Sequence, residues 1–556
     1  MGELKTPFQL RGWGIRTWNS VDRFETAVER AITRAASHGV TTIDLHDGTV
    51  PPGIGWVDLF AEYKQVQALR DADILTYHGE QISRERREGY RSRFRELCRK
   101  IKAHGIDIHV WYHVLRDLPE EWLDVEPTVS RLEGRRLWQV LGGIVDDFLM
   151  AVPEVDALTV TGQQALTAGM RDTSSVTSGE RLRAIYQCLY EACRRQRRRL
   201  VIREIGTTAA EKEAFVHAIG PLPPDIAIMV KDVQGDWYHL DAPLNPLFLR
   251  LRNKQLIVET DLYGVHWGHL DVPLCRLRQI HTAVRSWLPL SISGAIARIK
   301  VVEQPDSPSI PVFETPNEAN ISALSHLLQN PYPDPDLDSK DVDAFDFRLW
   351  IDWLRNRYGE DASPYVIAAL DRTPHIVQRV FYLGGAYFQD RSYLPTPSTF
   401  ERELWPTFLR QVDRLGSGAL RWEKEVALQL VRQSLRDVEL AESTLRPEDY
   451  ESLIQSFEKA RDVTLAYRVF IDLCIGRLNP ERMAVAVDET MDLADRIQTA
   501  RGMEFFGHLP DRMRQLCHYM QDATRGATIR TKEPSAPQTD IDLADEEIDI
   551  DDLGYT

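Results

Sequence analysis

Over the first 300 residues, short runs of β-branched and apolar residues alternate with longer stretches of helical period, the pattern expected of parallel βα units. Eight such runs can be read in order: Gly12–Trp18, Val40–His46, Ile106–His113, Ala157–Thr161, Leu200–Ile205, Ile226–Lys231, Gln255–Asp261 and Gly294–Val301. Between the first two, Phe24, Ala27, Val28, Ala31, Ile32 and Ala35 repeat at the spacing of one helix face, and His38-Gly39 follows as a helix stop. The same joint, helix then His-Gly then strand, recurs at Ile101–Ile106. Eight strands with matching helix-to-strand joints predict a closed (β/α)8 TIM barrel rather than an open sheet.

After residue 302 the strand pattern stops. Helical stretches follow at 344–358, near 361–385, and at 399–440, 447–475 and 479–522, beyond a Pro/Asp-rich joint at Asn330–Asp336. The expected division is a barrel at 1–302, an all-α C-terminal domain at 303–524 and a disordered acidic tail at 525–556. The tail carries Asp540, Asp542, Asp545, Glu546, Glu547, Asp549, Asp551 and Asp552 without an intervening base.

Composition narrows the function. The 556 residues are 43% apolar and 27% charged, enough for a large core, and 67 Lys and Arg against 84 Asp and Glu give a net charge of −17. That balance argues against nucleic acid or an anionic membrane as the main partner. The basic run of Arg194, Arg195, Arg197, Arg198 and Arg199 is explained by a solvated helix terminus. The start of the chain has no apolar leader pattern and no stretch reaches the roughly 18 apolar residues of a membrane span, so a cytoplasmic protein is expected. Six scattered cysteines, at 98, 188, 193, 275, 474 and 517, form no CxxC pair and read as reduced structural thiols. No nucleophile elbow or Gly-rich phosphate loop is present. His266 and His269 near Asp261 have no further ligands to complete a set, so neither metal nor cofactor is expected.

In a barrel of this kind the working residues stand at the C-terminal strand ends. Those ends carry Trp18 on the first strand, Asp44, His46 and Asp47 on the second, and Trp111 and His113 on the third. The fifth has Arg203 and Glu204, the sixth Lys231, Asp232 and then Asp236 and Trp237, and the seventh Glu259, Asp261, Tyr263 and His266. Aromatic rings beside carboxylates and a few bases suit a sugar site, where rings stack on pyranose faces and carboxyls act as acid and base. Glu259 and Asp261 are two apart and share a face. Mutual repulsion is expected to raise one pKa, unless Arg203, Arg298 or Lys231 satisfies them.

The stretch Val230-Lys231-Asp232-Val233-Gln234-Gly235-Asp236-Trp237, followed by Pro243-Leu244-Asn245-Pro246-Leu247-Phe248, resembles a segment of the xylan-debranching α-glucuronidases. The resemblance extends to Leu137-Trp138, Ile144–Val160, Arg203 and Trp18, and downstream to Asn330-Pro331 and the helix from Trp353 to Tyr358-Gly359, covering roughly residues 11–360. It implies a barrel followed by a helical domain that dimerises, a carbohydrate substrate, a general base at Asp236, and Arg203 and Lys231 facing a glucuronate. Two of the family's catalytic carboxylates have no match. Val160-Thr161-Gly162-Gln163 stands where the family has its acid, and Gly264-Val265-His266 where it has a Glu.

The leading expectation is therefore a glycoside hydrolase acting on an acidic or polar saccharide. Asp236 would be the base, Glu259 or Asp261 a proton donor with raised pKa, and Arg203 and Lys231 the charge holders. Trp18, Trp111 and Trp237 would form the platform, with Asp44, His46, His113 and Tyr263 as further contacts. Two alternatives belong to other classes: a barrel that has lost hydrolysis and binds a saccharide or a protein, and a uronic-acid lyase or isomerase with His46, His113 or Lys231 as base.

Overall fold

The computed structural model describes residues 8–16, 21–46, 54–125, 134–163, 175–206, 208–233, 244–262, 272–290, 292–300, 313, 315–331, 342–358, 364–387, 394–501 and 509–530. Contacts divide the chain into two compact units, 1–263 with 275–360, and 264–274 with 361–556.

In the first unit, strands β1 Leu10–Arg16, β2 Thr42–Leu45, β3 Asp107–His113, β4 Ala157–Thr161, β5 Arg199–Arg203, β6 Ala227–Lys231, β7 Gln255–Asp261 and β8 Ile292–Lys300 close into one barrel. All neighbours are parallel, and β1 pairs with both β2 and β8 to complete the ring. The barrel expected from the apolar pattern is the fold observed, with strand ends shifted by one to a few residues. The sequence reading did not separate out one antiparallel hairpin, Ile74–Tyr77 with Glu80–Ser83, lying between β2 and β3.

The two His-Gly joints behave alike. Gly39 and Gly105 have φ of 61° and 71°, the left-handed turn that ends a helix with little strain only for glycine. In each joint the preceding histidine donates from Nδ1 to the carbonyl four residues back, His38 to Arg34 and His104 to Lys100, both at 3.0 Å. The two differ in what surrounds them. A Cβ at Gly39 would come within 2.5 Å of the Gln329 amide, which itself donates to the His38 carbonyl, whereas a Cβ at Gly105 meets nothing within 4 Å. Gly105→Ala should therefore cost about 1 kcal/mol of backbone strain, and Gly39→Ala about 2–3 kcal/mol because a hydrogen bond is lost as well. Urea unfolding of the two variants checks the ranking, and equal costs would refute it.

Gln329 belongs to the helix Glu318–Gln329, which packs on the helix Leu277–Trp287 and on β8. Glu318 of this helix accepts from Arg34 at 2.6 Å. This helix, which the sequence reading did not separate out, and Val342–Tyr358, which its period grouped with the C-terminal helices, lie in the barrel's compact unit, whose contacts run to about residue 360.

The second unit is mostly helical, with Pro364–Asp371, Thr373–Phe381, Trp405–Leu415, Ser417–Leu440, Pro447–Leu478, Pro480–Arg501 and Leu509–Arg530. Its last helix is anchored by the buried Met513, Leu516, Cys517 and Met520. That helix runs past residue 525, where a disordered tail was expected to begin, and the tail from 531 lies outside the described residues. Among the described residues no helix is long and apolar enough to cross a membrane.

Candidate active site

Alternation along the strands builds the site. The inward positions nearest the N-terminal ends, Leu10, Ala157, Val201, Ala227, Met229, Ile257 and Ile296, form one apolar cluster that plugs the barrel. Two residues further along the same faces the chemistry changes. Val201 gives way to Arg203, Met229 to Lys231, Ile257 to Glu259 and Ile296 to Arg298. The strands thus carry an apolar floor and a charged layer above it, at the end where a (β/α)8 barrel works.

Glu259 is the hub of that layer. Only 3% of it is exposed, and both its oxygens are engaged. Oε1 accepts from Arg203 Nη2 at 2.6 Å and lies 2.9 Å from Arg298 Nε, while Oε2 accepts from Arg203 Nε. Burial by itself would raise this carboxyl, but the two guanidiniums outweigh it and hold the pKa down at about 2. The rise expected from a Glu259–Asp261 repulsion is therefore reversed, because the nearest charges are cations from β5 and β8. Glu259 stays ionised through the neutral range and has no proton to donate.

Asp44 on the inward face of β2 shows the opposite behaviour. Burial, and then the Glu259 charge, raise its carboxyl to about 7, partly offset by Arg203, the Thr159 hydroxyl and Arg298. Its Oδ1 is buried and makes no hydrogen bond. Lys231 is driven well below the ordinary lysine range by burial and by Arg203 and Arg298. Its neighbour Glu204 is raised by burial, against the pull of Lys231 and Lys212, so the pair tends toward neutrality on both sides.

Trp111 organises the third strand. Its indole Nε1 donates to Thr161 Oγ1 at 2.6 Å, and the Arg203 guanidinium carbon lies 4.1 Å from the ring centroid. The His113 ring stacks at 5.1 Å and His46 meets Trp111 edge-on at 3.9 Å. Trp111 is thus packed among Arg203, His113 and His46 and is 6% exposed, so it supports the charged layer more than it offers a bare face.

No protein-family model matches the sequence, and no curated protein matches it either. Solved structures do match. One is a GH138 enzyme targeting pectin rhamnogalacturonan II, with TM-score 0.64, 11% identity, and coverage of 96% of this chain and 69% of that one. Another is a variant of the Thermobaculum terrenum O-GlcNAc hydrolase, with TM-score 0.43, 11% identity, and coverage of 96% of this chain and 99% of that one. The first likeness gives this chain a fold shared with a glycoside hydrolase; the specific α-glucuronidase resemblance gains no support from either.

Of the residues singled out by sequence, Arg203, Lys231, Glu259, Asp44, Trp111, His46 and His113 converge on the barrel's C-terminal end, and Asp261 closes β7 at intermediate exposure. Trp18, Asp47, Asp236, Trp237, Tyr263, His266 and His269 lie outside the described residues. Among the described residues no group of three or more His, Cys, Asp or Glu could hold a metal ion.

Sequence reasoning missed the bracing around the site. Gln163, in the stretch where the resembled family has its acid, is buried and accepts from Ile205 N at 2.7 Å, fixing the turn after β5. Glu204 holds the same turn by accepting from Gly206 N at 2.6 Å. Asp232, raised by burial against Arg276 and the Thr260 hydroxyl, accepts from that hydroxyl at 2.6 Å. Arg276 donates to the Asp261 carbonyl, and its backbone N–H donates to Asn320 at 2.7 Å. Apart from Glu204 and Gly206, these partners sit 15 to 44 residues apart in the chain, beyond the reach of any local motif.

Proposed function

We propose that the barrel is a glycoside hydrolase acting on an oligo- or polysaccharide that bears a uronic acid, in the manner of the α-glucuronidases. The observation that carries this reading is the Arg203–Glu259–Arg298 layer, in which two guanidiniums share one ionised carboxylate. Two guanidiniums and the Lys231 amine thus gather around one carboxylate at a single level of the barrel, a setting that suits a ligand carboxylate. Arg298, whose side chain is 13% exposed against 4% for Arg203, is the better placed of the two to take it. Arg203 then serves chiefly to orient Glu259 and Arg298, and Lys231 adds a donor at the same level. Asp236 is assigned as the base that activates water, on its place after β6. The fold is shared with an enzyme targeting pectin rhamnogalacturonan II, which is in keeping with a polysaccharide substrate.

Mass-spectrometric product analysis tests the reading, using the purified protein on uronic-acid-bearing and neutral oligosaccharides with Asp236→Asn alongside. The expected result is a hydrolysis product from an acidic substrate, reduced at least about 100-fold in the variant. A second reading, a barrel that binds saccharide without cleaving it, is favoured by one observation: the stretch 160–163 has no carboxylate where the resembled family has its acid, and its Gln163 is committed to bracing a turn. Ligand binding with no product from any substrate would select that reading and end the first.

A further inference from the structure

With Glu259 ionised and Gln163 neutral, a hydrolase built on this barrel needs another proton donor. Such a group must point into the pore and keep an oxygen that the protein does not use. Among the buried carboxyls of the charged layer and its surround, Glu259 has both oxygens engaged by arginines. Asp232 has its two taken by Thr260 and by Val233 N, the latter at 2.8 Å. Glu204 is tied to Gly206 N and lies beyond the end of β5.

Asp44 meets both conditions. It is 4% exposed, its Oδ1 makes no hydrogen bond, and its register partner on β1 is Gly14, which adds no side chain to the wall and is itself half-buried. The groups that face it come from across the barrel: Thr159 on β4, Arg203 on β5, Glu259 on β7 and Arg298 on β8. Gly14 is also the register partner of Arg298, so Asp44 and the guanidinium assigned to the sugar carboxylate flank one position without a side chain. Resting on the function proposed above, we infer that Asp44 is the general acid of this site, a donor relocated from the fourth strand to the second. In the step, the Asp44 proton passes to the glycosidic oxygen as the bond from that oxygen to the anomeric carbon breaks. The leaving sugar departs as an alcohol. Water adds to the anomeric carbon and gives its proton to the base, and Asp44 regains a proton from solvent before the next turnover.

The test uses the full chain and two substrates with the same uronic acid, one with a sugar or methyl leaving group and one with 2,4-dinitrophenolate, which departs without protonation. Asp44→Asn should lower kcat on the first by about 10²–10⁴-fold and on the second by less than 10-fold. In the wild type, the alkaline limb of the pH profile should be present with the first substrate and absent with the second, a readout that needs no variant to fold. Equal losses on both substrates, no loss on either, or the same leaving-group signature in Asp261→Asn instead of Asp44→Asn would overturn the inference. A wild type with no turnover on any substrate defeats the hydrolase reading itself, whereas turnover without the leaving-group signature defeats only the role of Asp44.

Discussion

Glu259→Gln should destabilise the barrel unit by about 3–5 kcal/mol, because it removes the carboxylate that the buried Arg203 guanidinium shares with Arg298. The amide is nearly isosteric, so the cost is electrostatic rather than steric. Urea unfolding measures it directly. The further signature is coupling: Glu259→Gln combined with Arg203→Met should be less damaging than the sum of the two, since the second change removes the buried Arg203 charge. Strict additivity, or a neutral Glu259→Gln, would show that the layer is not held by this ion pair. The pH dependence has a definite sign. A carboxyl held at about 2 in the folded state contributes stability that is full above its unfolded pKa, near 4.3, and is lost as pH falls toward 2. The wild type should therefore lose stability on acidification through that window, and Glu259→Gln should not share that part of the loss.

Asp44→Asn should do the reverse. The Asp44 carboxyl is raised to about 7 in the folded state, while the unfolded chain releases that proton near 3.9. Between those values the folded state binds more protons, so stability falls as pH rises. From pH 5 to pH 8 this one group should cost the wild type on the order of 3 kcal/mol relative to Asp44→Asn. Chemical denaturation at the two pH values gives the difference between the proteins, in which the other titrating groups largely cancel. Parallel pH curves for wild type and variant would mean that the carboxyl is not raised. Such a result would also remove one support for Asp44 as a proton donor, independently of any substrate.

The two carboxylates make the general point about what can be read from sequence. Glu259 and Asp44 are the same kind of group, each on the inward face of a barrel strand, and both were picked out by strand position alone. Their opposite shifts follow from their neighbours: two arginines hold Glu259 ionised, whereas burial and the Glu259 charge raise Asp44. Arg203 is 56 residues from Glu259 along the chain, and it reaches Glu259 only because β5, β6 and β7 are neighbours in a closed ring. Gln163 is a similar case. Its position suggested a lost acid, while its hydrogen bond to Ile205, 42 residues away, gives it a structural task.

What the sequence determined by itself was the periodic part of the protein: eight β-branched runs, the helices between them, the His-Gly stops at Gly39 and Gly105, and the helical stretches that follow. Those are local properties, set by side-chain spacing and by the backbone freedom of single glycines. Alternation also determined which residues share the barrel's inner face. Only the tertiary structure decided which inward charges meet. It set Glu259 between two arginines, left an Asp44 oxygen without a partner, packed Trp111 among Arg203, His46 and His113, and carried the barrel's contacts out to residue 360. The physical reason is that burial and Coulomb interaction depend on distance in space, and closing a barrel brings together residues that no spacing along the chain connects.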